Sequence, residues 1–64
     1  MKRFKNCFCI RETEKAILVL DADENQTWIP KSQVHDDSEV YGEDHEGDLV
    51  VTDWMADRLN WVEP

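Results

Sequence analysis

Apolar and polar positions alternate at the start of the chain. Phe4, Phe8 and Ile10 interleave with Lys5, Cys7, Cys9 and Arg11, a period of two that predicts a strand with one solvated face. Arg11-Glu12-Thr13-Glu14-Lys15 is polar and either continues that strand or turns it. Ala16-Ile17-Leu18-Val19-Leu20 is apolar throughout and suits a central strand. Asp21-Ala22-Asp23-Glu24-Asn25-Gln26 carries turn residues, and Thr27-Trp28-Ile29 returns as the hairpin partner. Pro30 donates no amide hydrogen, so regular ladder pairing is expected to end there.

Lys31-Ser32-Gln33-Val34 reads as a tight turn that drops Val34 onto the core. Ser38-Glu39-Val40-Tyr41 reads as a short edge strand, the stretch from Gly42 to Gly47 as a polar loop, and Asp48-Leu49-Val50-Val51 as a final strand. The period then changes. Thr52 is placed to cap a helix with Asp53 in its first turn. Trp54, Met55, Leu59, Trp61 and Val62 recur at helical spacing, Asn60 can take a left-handed C-cap, and Pro64 ends the helix. Trp54 and Trp61, seven apart, are expected on the buried face, with Trp28 joining them. The predicted fold is α+β in a single domain over residues 1–64. It is a small curled antiparallel sheet of four to five strands, barrel-like in one version, with one C-terminal helix packed on it.

Length then limits function. A chain of 64 residues buries about 60% of the surface that its unfolded form exposes. A deep enclosed active site does not fit in that volume, which favours binding over catalysis. The longest unbroken apolar run, residues 16–20, is far short of the ~20 residues of a membrane span. The basic N-terminus is followed by no apolar stretch of signal-peptide length. A cytoplasmic protein without a membrane partner is expected.

Charge sharpens the picture. The net charge is −8. Residues 1–20 hold five basic side chains against Glu12 and Glu14, a balance of +3; the remainder holds 13 acidic residues against Lys31 and Arg58, a balance of −11. Asp36, Asp37, Glu39, Glu43, Asp44, Glu46 and Asp48 fall in one stretch that contains no Lys or Arg. Such a run is either a solvated loop or, if held on an ordered surface, an imitation of a phosphate backbone. Duplex DNA carries one charge per ~1.7 Å of axis, a field that a compact acidic face can reproduce. The same field repels nucleic acid itself, so direct binding to it is not expected.

Other chemistry is thinly represented. Cys7 and Cys9 are two residues apart, so a disulfide would close a strained ring, and both are expected reduced. With His35 and His45 they supply four zinc-type ligands, but at spacings unlike the common motifs. Asp21-x-Asp23-x-Asn25 begins like an EF-hand loop, yet Gln26 stands at the glycine position and Ser32 at that of the bidentate glutamate. Incidental divalent-ion binding by the acidic run is the more credible metal chemistry. His35 beside Asp36, and His45 between Asp44 and Glu46, are the only acid–base pairs on offer. With Gly42 and Gly47 the sole glycines, no glycine-rich phosphate cradle exists. No enzyme activity, cofactor or resident metal is expected.

Lys15-Ala16-Ile17-Leu18-Val19, Trp28-Ile29-Pro30-Lys31-Ser32-Gln33-Val34, Ser38-Glu39-Val40, and Gly47-Asp48-Leu49-Val50-Val51 leading to Trp54-Met55-Ala56 together resemble a group of short uncharacterised bacterial, prophage and phage proteins. The resemblance covers roughly residues 11–60, and its most specific piece is the Trp-Ile-Pro-Lys-Ser-Gln-Val stretch. The chain departs from the pattern in its Cys-Phe-Cys strand and in Asn60, where a glycine would end the helix. The group lends no catalytic residues. It implies an accessory protein of mobile elements, and anti-CRISPR inhibitors enter only by analogy.

These readings converge on an inhibitory, DNA-mimicking protein. It would engage a basic nucleic-acid-binding partner, a host defence or DNA-handling complex, through Asp36, Asp37, Glu39, Glu43, Asp44, Glu46 and Asp48, with Tyr41 as an apolar anchor. The alternative is a self-associating structural or adaptor module of a mobile element, a homodimer among its forms, with no inhibitory role. A metal-responsive protein using Cys7 and Cys9 is the third reading.

Overall fold

In the computed structural model, which describes residues 1–59, four strands form one antiparallel sheet followed by a short helix. The strands are β1 (Lys2–Glu12), β2 (Ala16–Leu20), β3 (Gln26–Pro30) and β4 (Glu46–Val51), and α1 spans Asp53–Leu59. Their spatial order is β3-β2-β1-β4. The first three strands make a meander, and β4 returns to the other side of β1. The sheet is open, with β3 and β4 at its edges, so it does not close into a barrel.

Two irregularities set which face each side chain takes. β1 pairs with β4 as Phe4↔Leu49 and then Cys7↔Gly47, three residues against two, and Asn6 in between has φ 59°. Asn tolerates this left-handed conformation at little cost. The bulge advances the side-chain parity by one. Phe4, Cys7 and Cys9 therefore share the buried face, while Phe8 is turned to the other face. The expected grouping of Phe4, Phe8 and Ile10 fails here, because strict alternation cannot survive an extra residue. A second shift, between Cys9 and Arg11, lets β1 run on to Glu12 opposite Ile17. The polar stretch after Ile10 thus begins as strand and turns only at its end.

The core lies on one side of the sheet. Phe4, Cys7, Cys9, Ile17, Val19, Ile29, Leu49 and Val51 meet Met55 and Leu59 of α1 and Val40 of the 34–45 segment, with Val34 and Ala56 packed at the margin. Met55 and Leu59 are four residues apart, the spacing of a helix face. Trp54 sits one residue off that stripe and is 53% exposed, with the Arg58 guanidinium 4.1 Å above its ring. Trp28 is also largely exposed, because its neighbour Ile29 takes the core-facing position on β3. Neither tryptophan joins the core. Trp61, Val62, Asn60 and Pro64 lie outside the described residues.

Local chemistry closes the turns. The Asp21 carboxylate accepts hydrogen bonds from the amides of Asp23 (2.9 Å) and Asn25 (2.8 Å) and from the Asn25 side chain. The EF-hand-like stretch is therefore a self-bonded hairpin turn. β3 runs through Pro30, which lies opposite Ala16, and the ladder closes with Lys31 N–H donating to Lys15 O (2.8 Å). Proline is tolerated because its missing donor faces away from β2, at a non-hydrogen-bonded pair. A single 3-10 turn, Lys31–Gln33, then places Val34 against the core and in a bridge to Val51. Thr52 caps α1, with Met55 N–H donating to its Oγ1 (3.3 Å).

Gly47, opposite the Asn6 bulge, adopts φ +130°, a region essentially reserved for glycine. A Cβ there would lie 2.7 Å from Oε1 of Glu39, the oxygen that accepts from Asp48 N–H. Gly47→Ala is expected to cost about 1–3 kcal/mol from backbone strain alone, read as a lowered urea midpoint with an unchanged slope.

Candidate functional site: an ordered acidic surface

The acidic stretch is not an edge strand, nor does it hang free of the sheet. It runs along the outer edge of β4 and then crosses to β1. His35 N–H donates to Val50 O (2.8 Å) and Glu39 N–H to Asp48 O (2.8 Å). At the far end, Cys9 N–H donates to His45 O (2.8 Å) and Asp44 N–H to Cys9 O (3.0 Å). Between these ties Val40 is fully buried. A regular strand fails to form because a side chain replaces the ladder. Buried Ser38 accepts from Val50 N–H (3.1 Å) and Val40 N–H (3.2 Å) and donates to Val40 O (2.8 Å).

The predicted residues divide by role. Asp36, Asp37, Glu43, Asp44 and Glu46 are exposed. Glu39 and Asp48 are engaged within the chain: the Glu39 carboxylate holds the Asp48 amide (2.9 Å), and the Asp48 carboxylate pairs with Arg3 (2.8 Å). Asp44 has φ 68° in its turn, which Asp accommodates. Tyr41 is 60% exposed and packs edge-on against the His45 ring, with centroids 4.3 Å apart. Lys31, Val34, His35, Asp36 and Tyr41 line an open cleft beside it.

Sequence spacing misses Glu12, which joins β1 to this surface. Its carboxylate accepts from Lys31 Nζ and from Glu43 N–H (3.1 Å). The Lys31 hydrogen bond, then that of the Glu43 amide, hold its pKa below the usual value. No local pattern points to a pairing between positions 12, 31 and 43.

The remaining candidates are kept apart. Cys7 and Cys9 are buried and unbridged in the core. His35 Nδ1 accepts from Asp37 N–H (3.1 Å), so it turns to Asp37 and not to Asp36. His45 meets Tyr41. Among the described residues, no group of three or more His, Cys, Asp or Glu side chains gathers where a metal could be held.

Burial, followed by the charges of Asp21 and Asp48 against the opposing Leu49 backbone hydrogen bond, pushes the Cys7 thiol from 9.0 up to about 11, and burial raises Cys9 as well. Both thiols are thus nucleophilic only after unfolding. A pKa raised by folding gives a contribution that is complete below the unfolded value and lost as pH climbs through the folded one. Stability is expected to fall between pH 9 and about 11. At pH 8, thiol labelling of the native protein should be at least ~100-fold slower than in guanidinium.

The fold and surface define a small α+β protein, an open four-stranded sheet with a short helix, whose β4 edge is covered by a hydrogen-bonded acidic segment. No protein family, curated protein or solved structure matches the chain. Among the described residues no helix is long and apolar enough to cross a membrane.

Proposed function

We propose that this is a non-enzymatic binding protein, of the kind carried by phages and prophages. In this reading its acidic surface occupies the basic groove of a nucleic-acid-binding protein in the cytoplasm and keeps the true ligand out. One observation carries it. The acidic segment is tied by backbone hydrogen bonds to both β4 and β1, so the backbone that carries Asp36, Asp37, Glu43, Asp44 and Glu46 is held against the sheet. A fixed row of carboxylates loses less entropy on binding than a loop that must first be ordered. Tyr41 supplies an apolar, hydrogen-bonding anchor beside that row. Glu39 and Asp48 act differently from the other carboxylates: Glu39 is a strut that holds the segment to β4, and Asp48 pairs with Arg3 across the β1–β4 ladder.

The test is capture from nuclease-treated lysate on the tagged protein at low and high salt, with mass spectrometry. A variant carrying Asp36→Lys, Asp37→Lys, Glu43→Lys and Glu46→Lys is run in parallel. The expected result is a basic nucleic-acid-handling protein held by the native chain at low salt, shed at high salt and absent from the variant. Capture that is indifferent to both salt and charge reversal would refute the mimic.

A further inference from the structure

The two edges of the sheet are treated differently. That of β4 is covered by residues 34–39, which take up the outward amides and carbonyls of Asp48 and Val50. Among the described residues nothing covers the outer edge of β3. The hydrogen bonds Lys31 N–H to Lys15 O and Asp21 N–H to Asn25 O fix the alternation in the β2–β3 ladder. By that alternation Thr27 and Ile29 bond inward to β2, and the backbone groups of Gln26, Trp28 and Pro30 face outward. Natural edges are usually blunted by lysine, a bulge or proline. In β3 only Pro30 serves, and Gln26-Thr27-Trp28-Ile29-Pro30 carries no charge in a chain of net charge −8.

The ends of this edge differ in sign. Asp21, Asp23 and Glu24 stand at the turn that enters β3, while Lys31, which shares its charge with Glu12, and the exposed Lys15 stand at the other end. An antiparallel neighbour running along the edge brings each acidic turn next to the other chain's Lys31. The strand is therefore electrostatically complementary to itself in that orientation. Centred on Trp28, the pairing exchanges two Trp28 N–H···O=C bonds, and each Gln26 N–H donates to a Pro30 carbonyl. The amide that Pro30 lacks costs only the reciprocal pair. On the side of the sheet away from the core, the two Trp28 rings would come together beside Leu18, its cross-strand neighbour. Trp28 is 47% exposed in the single chain, and this contact would remove apolar area from water.

We propose that the uncovered edge of β3 is a self-association site, through which two copies pair antiparallel about a two-fold axis at Trp28 to form one eight-stranded sheet. Five residues of edge fall short of the ~800 Å² per partner of a standard interface, so the dimer is reversible and concentration-dependent. The β3 edge lies on the opposite side of the sheet from the segment along β4, with Lys31 the one residue common to both surfaces, and purified protein alone tests it.

Sedimentation velocity at 0.15 M salt, where the Debye length is about 8 Å, should show the apparent mass rising twofold with concentration. Trp28→Lys places two cations face to face across the axis and should hold the chain at monomer mass throughout. Asp23→Lys and Lys31→Glu should each weaken the homodimer by roughly tenfold. An equimolar mixture of those two variants should recover the native affinity, since each altered turn then meets an opposite charge. This complementation decides the matter even if Trp28→Lys fails to fold. A native chain that stays monomeric, a dimer that persists in folded Trp28→Lys, or a mixture no tighter than its components would overturn the proposal.

Discussion

Replacing Ser38 with alanine is expected to cost about 2–4 kcal/mol, from two buried amides that each lose their only acceptor. Val40 and Val50 are fully buried, and the N–H groups of both point at Ser38 Oγ. Water has no access to either residue in the folded state, so the alanine variant leaves both donors bare. The Val40 carbonyl loses its donor in the same step. A domain of this length has roughly 3–10 kcal/mol in total, so the loss is a large share of it. Urea unfolding should show a much lower midpoint at an unchanged slope. A loss below ~0.5 kcal/mol would mean that the segment does not depend on this hydroxyl.

Reversing Asp36, Asp37, Glu43 and Glu46 to lysine should lower affinity for the captured partner at least ~100-fold, mostly through the association rate. The four changes bring the net charge from −8 to 0. All four side chains are exposed, and Asp37 Oδ2 lies 3.7 Å from His35 Nδ1, a nitrogen that already accepts from the Asp37 amide. Thermal stability should hold or rise as self-repulsion is relieved, which separates lost binding from lost folding. Glu39 and Asp48 are left unchanged because they hold the chain to itself. Reversing Glu39 would confuse a loss of structure with a loss of charge.

Much of the fold is legible in the residues. The unbroken apolar run of β2, the turn chemistry around Asp21 and the Thr52 cap follow from rules that act within a few positions. The parity of β1 does not, because one left-handed residue, Asn6, moves the side chains from Cys7 to Cys9 to the other face, and a second shift follows before Arg11. Asn at a strand position was the available signal, but Asn is common on solvated strand faces as well. Helical spacing grouped Trp54 with the core, but in a helix of seven residues the i, i+4 pair Met55 and Leu59 already fills the contact.

The acidic surface was legible as composition and not as architecture. Charge counting found the carboxylates, and Tyr41 is exposed as expected. What the pattern could not show is how the segment is anchored. Its ties are backbone bonds to β4 and β1, the Ser38 hydroxyl and the carboxylates of Glu39 and Glu12, none of which leaves a period in the sequence. Val40, a lone valine among carboxylates, was the one local sign that the segment returns to the core. Glu12 illustrates the same limit, since its partners are 19 and 31 positions away.

The most direct test is amide hydrogen exchange across residues 34–48 of the isolated protein, read residue by residue. A held acidic surface predicts slow exchange at His35, Glu39, Val40 and Asp44, with protection close to that of β1 and β4, because those amides bond to the sheet or to Ser38. Exchange at the unprotected rate at those positions, beside a protected sheet, would contradict it and leave a solvated acidic loop in its place.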